Sequence, residues 1–399
     1  EPKSVSRAGS QSRTLVELLR RLRPHWRSDA GLPARIDALL GGDRRLGSRD
    51  RRLYRELIYT ALRYLPWVEP LLESDPPGAV SRIAWLAADT PEVLPFRAEM
   101  SGELPPCPPG VGGKAVALGA DPGELLPGWF RPECPEAFAA PLLDVLLSRP
   151  PLWLRLQTRE AGSVLAEFGR LGWAWRRSPL LAGALALPPD TDVARTESYR
   201  NGAVEIQDVG SQLVLESAGV EPGGQWLDAC AGSGGKALQL AAMLGPEGRV
   251  RARDPRHAAL EELCARAARA GLAGRIDVGP GTDPPGGFDG VLVDAPCSGS
   301  GTWRRSPHLK WVTRPEGVRD AAQRQLSLLT KNASRVRPGG LLVYATCSLC
   351  RTENESVVEA FLRENRGIEP ALQGTRLAPH SHDGDGFFVA SFRRIRPSG

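Results

Sequence analysis

Two cysteines could do chemistry here: Cys297 in VLVDAPCSGSG and Cys347 in LLVYATCSLC. Each leaves the end of an apolar stretch that reads as a β-strand. Cys350 follows Cys347 at CxxC spacing. A zinc site needs about four ligands; Cys230 and Cys297 could supply two, but no second local pair exists. A redox CxxC usually opens a helix after an early strand, whereas this one closes a late strand. Burial as a packing residue is the commonest fate of a lone cysteine. Nucleophilic attack is the use that needs two thiols at neighbouring strand ends, facing one crevice.

A glycine loop lies upstream, in LDACAGSGGKAL (227–238), between a predicted strand and a predicted helix. Such a loop aims backbone N–H groups at a ligand. It is no triphosphate loop. Counting back from Gly235 and Lys236, the required first glycine falls on Cys230, and Ala237 replaces the magnesium-binding Ser/Thr. The dinucleotide fingerprint G-x-G-x-x-G fails as well. Asp254, in VRARDP, lies about 20 residues beyond the glycines, where an acid accepts a ribose hydroxyl. A ligand with a ribose and no triphosphate is implied, and S-adenosylmethionine (SAM) meets both conditions. The bland alternative is a turn that merely needs glycine.

Amino-group methyltransferases often carry Asn/Asp-Pro-Pro-aromatic where this chain has Asp294-Ala295-Pro296-Cys297. A thiol cannot stack a base, but it can add to one. Carbon 5 of cytosine is a poor nucleophile towards a methyl sulfonium. Thiolate addition at carbon 6 makes an enamine whose carbon 5 can attack. Charge then develops at N3 and needs a donor or acid nearby. Asp294 suits N3 or the 4-amino group, and Lys236 could hold it. Release needs a base, which a second cysteine could serve or assist. A free thiol has a pKa of about 8.5, so the attacking sulfur needs a positive field.

These residues need elements to hold them. From about residue 200, strands (QWLDACA, GRVRARD, GRIDV, DGVLVDAP, LLVYATC, GFFVASFRR) alternate with helices (GGKALQLAAMLG, HAALEELCARAARAGL, GVRDAAQRQLSLLTKNASRV, ESVVEAFLREN). Alternation predicts an open, mostly parallel sheet covered on both faces. Residues 150–200 read as a small mixed unit of β-α-β-β flavour. Residues 13–74 read as helices, with Leu15, Leu18, Leu19 and Leu22, then Leu53, Leu57, Ile58 and Leu62, at helical spacing. Residues 75–135, rich in Pro and Gly, read as the end of that helical region and a linker.

Five stretches closely resemble the Sun-domain RNA:cytosine-5 methyltransferases, in particular the bacterial RsmB (Fmu) branch: EIQDVGSQLV (205–214), LDACAGSGGK (227–236), VLVDAPCSGSGTWRRSPHLKW (291–311), RPGGLLVYATCSLCRTENE (337–355) and GDGFFVASF (384–392). The resemblance implies a multidomain chain. An all-α, NusB-like RNA-binding domain with a linker would span 1–135, a small α+β RNA-recognition domain 136–202, and an α/β Rossmann-like SAM-dependent catalytic domain 203–399. It implies that Cys347 is the nucleophile and that Cys297 assists release, while Asp294 and Lys236 handle the base. SAM would be held by Cys230, Ala231, Gly232, Ser233, Gly234, Gly235, Lys236, Asp254 and Asp294. The substrate implied is RNA, 16S ribosomal RNA in particular.

The sequence departs from the family in two places. Gly232 and Ser233 occupy slots where relatives carry Ala-Pro. In the third cofactor motif, DVGPGTDPP puts Pro280 or Gly281 where an Asp is usual, with Asp277 and Asp283 to either side.

Composition constrains the partners. The net charge is +5, and arginine dominates the basic residues, in runs such as RRLRPHWR and GDRRLGSRDRRLYRE. Such a run is either a solvated helix face or a phosphate-binding stripe. After Cys297, Arg304, Arg305 and Lys310 alternate with Trp303 and Trp311, a pattern suited to RNA. The seven cysteines are odd in number and scattered, which points to a reducing, cytoplasmic setting. The start, EPKSVSRAGSQSR, reads as no signal peptide. No apolar run approaches the roughly 20 residues of a membrane span. A monomer without metal is expected; His380 and His382 lack a third partner. Two rivals stay open: an RNA-binding assembly factor with a degenerate methyltransferase domain, and a DNA cytosine enzyme using the Pro-Cys thiol.

Overall fold

The computed structural model describes residues 6–158, 160–279 and 281–396, so Pro280 lies outside the described residues. The chain divides into two compact units. One runs up to Arg149 and regains Trp303–Arg314; the other holds Pro150–Thr302 and Pro315 onward.

The first unit is helical throughout its described residues. Helices Arg7–Leu22 and Ser48–Arg63 bury the leucines expected from their spacing. Ser6 caps the first of them, its hydroxyl accepting from the Gly9 N–H at 3.1 Å. The stretch expected to be a linker is packed instead. Pro76–Leu86, Val93–Met100 and Val111–Leu118 are helices, with Trp85, Val93, Phe96 and Val111 buried. Proline there sits in the first turn of a helix, where its missing N–H costs nothing. Past the boundary expected at 135, Leu142, Leu143, Leu146 and Leu147 are buried and cluster with this unit. Many exposed arginines pair within the unit: Arg23 with Glu73 at 2.7 Å, Arg52 with Glu92 at 2.7 Å and Arg55 with Asp37 at 2.7 Å. These runs behave largely as solvated, internally compensated faces.

The second unit contains two sheets. Strands β1 (Leu152–Leu156), β2 (Arg176–Arg177), β3 (Ala184–Leu187) and β4 (Val204–Ile206) form an antiparallel sheet in the order β2-β3-β1-β4. Helix Ala161–Arg170 packs Val164 and Phe168 onto its Leu154, Leu185 and Val204. This small sheet shares one compact unit with the larger sheet. Buried polar contacts tie the sheets together. Arg155 donates to Gln207 at 2.7 Å, Gln207 donates to Gln239 at 2.9 Å, and buried Glu205 accepts from Arg266 and Arg269 at 3.1 and 2.8 Å.

The larger sheet comprises β5 (Gln225–Asp228), β6 (Arg249–Ala252), β7 (Ile276–Val278), β8 (Phe288–Asp294), β9 (Val336–Thr346), β10 (Ile368–Leu377) and β11 (Phe387–Arg394). Its order is β10-β11-β9-β8-β5-β6-β7, with β11 antiparallel to both neighbours and the central strands parallel. Alternate residues serve opposite faces: Val343 and Ala345 pack into one core, Leu342 and Tyr344 into the other. Burial on both faces explains the unbroken apolar runs. The sequence reading missed β10, where Pro370 and Gly374 hide the strand pattern. At a sheet edge a proline costs no ladder hydrogen bond. Among the described residues, no helix is long and apolar enough to cross a membrane.

Candidate active site

The strand order reverses between β5 and β8, the place where open α/β sheets bind ligands at their carboxyl ends. The expected residues converge there. The loop after β5 leads into helix Gly235–Leu244. Gly234 has φ 92°, and a Cβ on it would lie 2.6 Å from Leu263, so only glycine fits. Gly232 donates its N–H to Asp254 at 2.9 Å, which brings the expected ribose acid onto the loop.

A cavity of about 640 Å³ opens beside them, lined by Ala229, Ala252, Asp254, His257, Leu260 and Gly281 among others. Its size and mixed lining suit a nucleoside. His257 is the exposed first residue of helix His257–Arg269, and it also lines this cavity. Asp254 is held below the usual carboxylate range, first by its hydrogen bonds from Arg256. Arg256 supplies its backbone N–H at 3.0 Å, its Nε at 2.9 Å and a terminal nitrogen at 3.1 Å. The acids flanking the altered third motif are engaged elsewhere. Asp277 pairs with Arg251, and Asp283 with Arg253 and Arg335. Gly279, Gly281 and His257 are among the residues that line the cavity.

The candidate reacting groups gather at the ends of β8 and β9 and on helix Gly235–Leu244. Lys236 Nζ donates to Asp294 Oδ2 at 2.9 Å and lies 4.7 Å from the Phe387 ring centre. Asp294 keeps partial exposure, while Lys236 is nearly enclosed. The Cys297 and Cys347 sulfurs lie 3.3 Å apart. The hydrogen bond with Cys347, then burial, pushes the Cys297 thiol far up, so it stays protonated at neutral pH. Cys350 is buried, with its sulfur 3.5 Å from the Ser300 hydroxyl. Cys230 is pushed up to about 12, chiefly by burial, and is inert as a nucleophile. Buried Asp228 is raised to about 7 by burial and by the nearby Asp294.

The two thiol turns are welded to each other. Gly301 N–H donates to Cys347 O at 2.9 Å, and Gly386 N–H donates to Gly301 O at 2.8 Å. A Cβ on Gly301 would lie 2.0 Å from Gly386 O, which explains why glycine occurs at both contacts. The sequence reading gave no role to Gln325, Glu353 and Asn354. They form a buried polar layer behind the thiols, and their only sequence signal is polarity at positions the fold encloses.

One expectation needs correction. Arg304 and Lys310 are buried in the helical unit and have no face to offer RNA. Lys310 Nζ donates to Arg63 O at 2.7 Å and Leu125 O at 2.9 Å; Arg304 Nε donates to Ser148 Oγ at 3.1 Å. Trp303 packs on Phe130, with ring centres 4.6 Å apart, and Trp311 donates to Leu62 O at 2.8 Å. Aromatic rings and cation stems that could stack RNA bases serve here as anchors. Arg305 is exposed.

Residues 216–393 match the family described as 16S rRNA methyltransferase RsmB/F. The chain is 32% identical over 296 residues to a probable ribosomal RNA small subunit methyltransferase B of Bacillus subtilis (strain 168), covering 67% of this chain and 66% of that one. It is 31% identical over 291 residues to the ribosomal RNA small subunit methyltransferase B of Klebsiella pneumoniae (strain 342), covering 68% and 67%. The match thus spans about two thirds of the length of these relatives. In fold, the chain is similar to the crystal structure of PH0851 over 99% of this chain and 100% of that one, with a TM-score of 0.72 and 20% identity.

Proposed function

We propose that this chain, which belongs to the RsmB/F family of 16S rRNA methyltransferases, transfers a methyl group to carbon 5 of a cytosine in small-subunit ribosomal RNA. The observation that carries the reading is the 3.3 Å approach of Cys297 and Cys347 beside the Lys236–Asp294 pair. SAM, when bound, supplies an electrophilic methyl sulfonium. Residues 230–236 and Asp254 would hold it, with the adenosyl part in the cavity after β6.

Cys347 attacks carbon 6 of the pyrimidine, and carbon 5 gains enamine character. Asp294 faces the base and accepts from its 4-amino group, or donates to N3 when protonated; Lys236 fixes its direction. Cys297 remains a neutral thiol. After methylation, a water molecule takes the carbon 5 proton, the C–H electron pair restores the carbon 5–carbon 6 double bond, and the Cys347–carbon 6 bond breaks with its pair on sulfur. The S–H of Cys297 then donates to the departing thiolate, which favours release.

The test is a trapped adduct. Cys297→Ala, mixed with unmethylated small-subunit RNA and SAM, should accumulate protein–RNA adduct that survives a denaturing gel. Cys347→Ala should form none. An adduct that persists in Cys347→Ala and vanishes in Cys297→Ala would refute this reading and favour the Pro-Cys thiol as nucleophile, as in DNA enzymes.

The other units fit an RNA substrate. We assign the helical unit as the NusB-like module and the small sheet as the RNA-recognition module. The small sheet presents Trp175 at 40% exposure next to exposed Arg176 and Arg177, a base-stacking face beside phosphate-binding forks. A cytoplasmic monomer is the state this reading expects.

A further inference from the structure

A carboxylate sealed from water must be met by donors or it destabilises the fold. Glu353 is 0% exposed. It accepts from Ser298 N–H at 2.8 Å, Ser298 Oγ at 2.5 Å, Ser348 Oγ at 2.5 Å and Gln325 Nε2 at 3.1 Å. Ser298 immediately follows Cys297, and Ser348 immediately follows Cys347. One side chain therefore grips the residue after each thiol. Gln325 extends the grip, donating to Pro296 O at 3.0 Å on the other side of Cys297. Asn354 does the same around Cys347, donating to Ser348 O at 2.8 Å and accepting from Thr346 Oγ1 at 2.6 Å.

We propose that Glu353 is the positioning residue of the two-thiol site, a buried carboxylate clamp that fixes the spacing of the Cys297 and Cys347 sulfurs. The proposal rests on the reading of these cysteines as the working thiols. Glu353 Oε1 meets two N–H donors and Oε2 two hydroxyls; an amide at 353 keeps partners for both atoms if the hydroxyls turn, but it loses the charge that strengthens all four bonds. Glu353 also acts through its charge. The Cys297 proton is held by the hydrogen bond to Cys347, by burial, and then by its electrostatic interaction with Cys347 and Glu353. The titratable groups that bear on Cys297 are Cys347, Glu353 and Tyr344. Tyr344, whose hydroxyl donates to Glu353 O at 2.6 Å, is itself pushed far up by burial, so it stays neutral alongside.

The experiment uses the full chain in two variants, Glu353→Gln and the milder Ser298→Ala. Alkylation of each cysteine by iodoacetamide is followed by peptide mass spectrometry across pH, and kcat and KM are measured on small-subunit RNA. In Glu353→Gln, the pH midpoint for Cys297 alkylation should fall by about one unit as a neighbouring charge is removed. Its kcat should fall about 10- to 100-fold with KM nearly unchanged, since misplaced reacting groups cost rate rather than binding. Ser298→Ala leaves Glu353 its charge with one donor fewer, so the Cys297 alkylation midpoint should rise rather than fall, while kcat should drop about threefold to tenfold, as expected for one lost hydrogen bond to a charged group. Folded variants with wild-type alkylation profiles and kcat overturn the proposal. If Glu353→Gln does not fold, Ser298→Ala decides by the same two outcomes. Unchanged variants beside an inactive Cys347→Ala enzyme overturn the clamp alone. A Cys347→Ala enzyme that still turns over overturns the thiol reading beneath it.

Discussion

The run VLVDAPCSGSGTWRRSPHLKW is continuous in sequence, yet its two halves serve different units. Residues up to Thr302 belong with the catalytic sheet, and Trp303–Arg314 with the helices. The first half ends a parallel strand, so its side chains reach the ligand crevice. The second half is short helix and turn, and its buried Lys310 ends on backbone carbonyls. Identical residue types would do opposite work in the two places. A lysine stays a charge-bearing partner where a carboxylate meets it, as Lys236 meets Asp294. It becomes an internal plug where carbonyls rather than a carboxylate meet it, as those of Arg63 and Leu125 meet Lys310.

The comparison breaks if substitutions in the two halves act alike. The largest effect belongs to Cys347→Ala, which should cut kcat by about 10⁴-fold or more while cofactor binding persists. Single-turnover methylation and calorimetry with SAM measure the two separately, and near-normal turnover ends the assignment.

Next come two buried titratable groups, one in each unit, whose contributions drift oppositely with pH. Asp228 is raised to about 7, against 3.8 ordinarily. Between these values the folded protein keeps a proton that the unfolded chain has lost, so stability falls as pH rises. Asp228→Asn should remove that decline, gaining about 4 kcal/mol at most near pH 8 at about 1.4 kcal/mol per unit of pKa. Urea melts at pH 5 and 8 decide it; a decline that persists in the variant refutes the attribution.

Lys310 is lowered well below 10.5, chiefly by burial. Between its lowered value and 10.5 the unfolded chain carries a proton that the folded protein lacks, so stability rises with pH. Lys310→Met should flatten that rise and cost about 2 kcal/mol, because two carbonyls lose their donor. Its kcat per folded molecule should stay at the wild-type value. A fall in kcat at unchanged stability would assign Lys310 to the chemistry after all.

The smallest contrast separates adjacent arginines. Arg305→Ala should weaken RNA binding about twofold to fivefold and leave the melt unchanged, as one exposed phosphate contact would. Arg304→Ala should lower the melting temperature and leave RNA affinity nearly unchanged. Filter binding at two salt concentrations, with melts alongside, reads both; the reverse pattern would restore Arg304 as the RNA contact.

Much of the site was legible in the chain. Gly234 was forced by a left-handed turn and by Leu263, and the acid of the loop's partner strand stands where spacing put it. Cys297 and Cys347 were readable as a pair because each ends a strand, and parallel strands align their carboxyl ends. Glu353 was not legible. Its charge looks like a surface charge in TENE, and its burial depends on Gln325, 28 residues before it, and Ser298, 55 residues before it. β10 was hidden because edge position excuses a proline that a central strand would reject.

The sequence by itself determined which atoms could react and the order in which strands deliver them, since periodicity and strand-end position are local properties. Only the tertiary structure decided which charges face ligand and which face carbonyls. That depends on the partners brought to each group from distant parts of the chain. An arginine or lysine carries no mark of its own to say whether water, a carboxylate or a buried carbonyl will meet it.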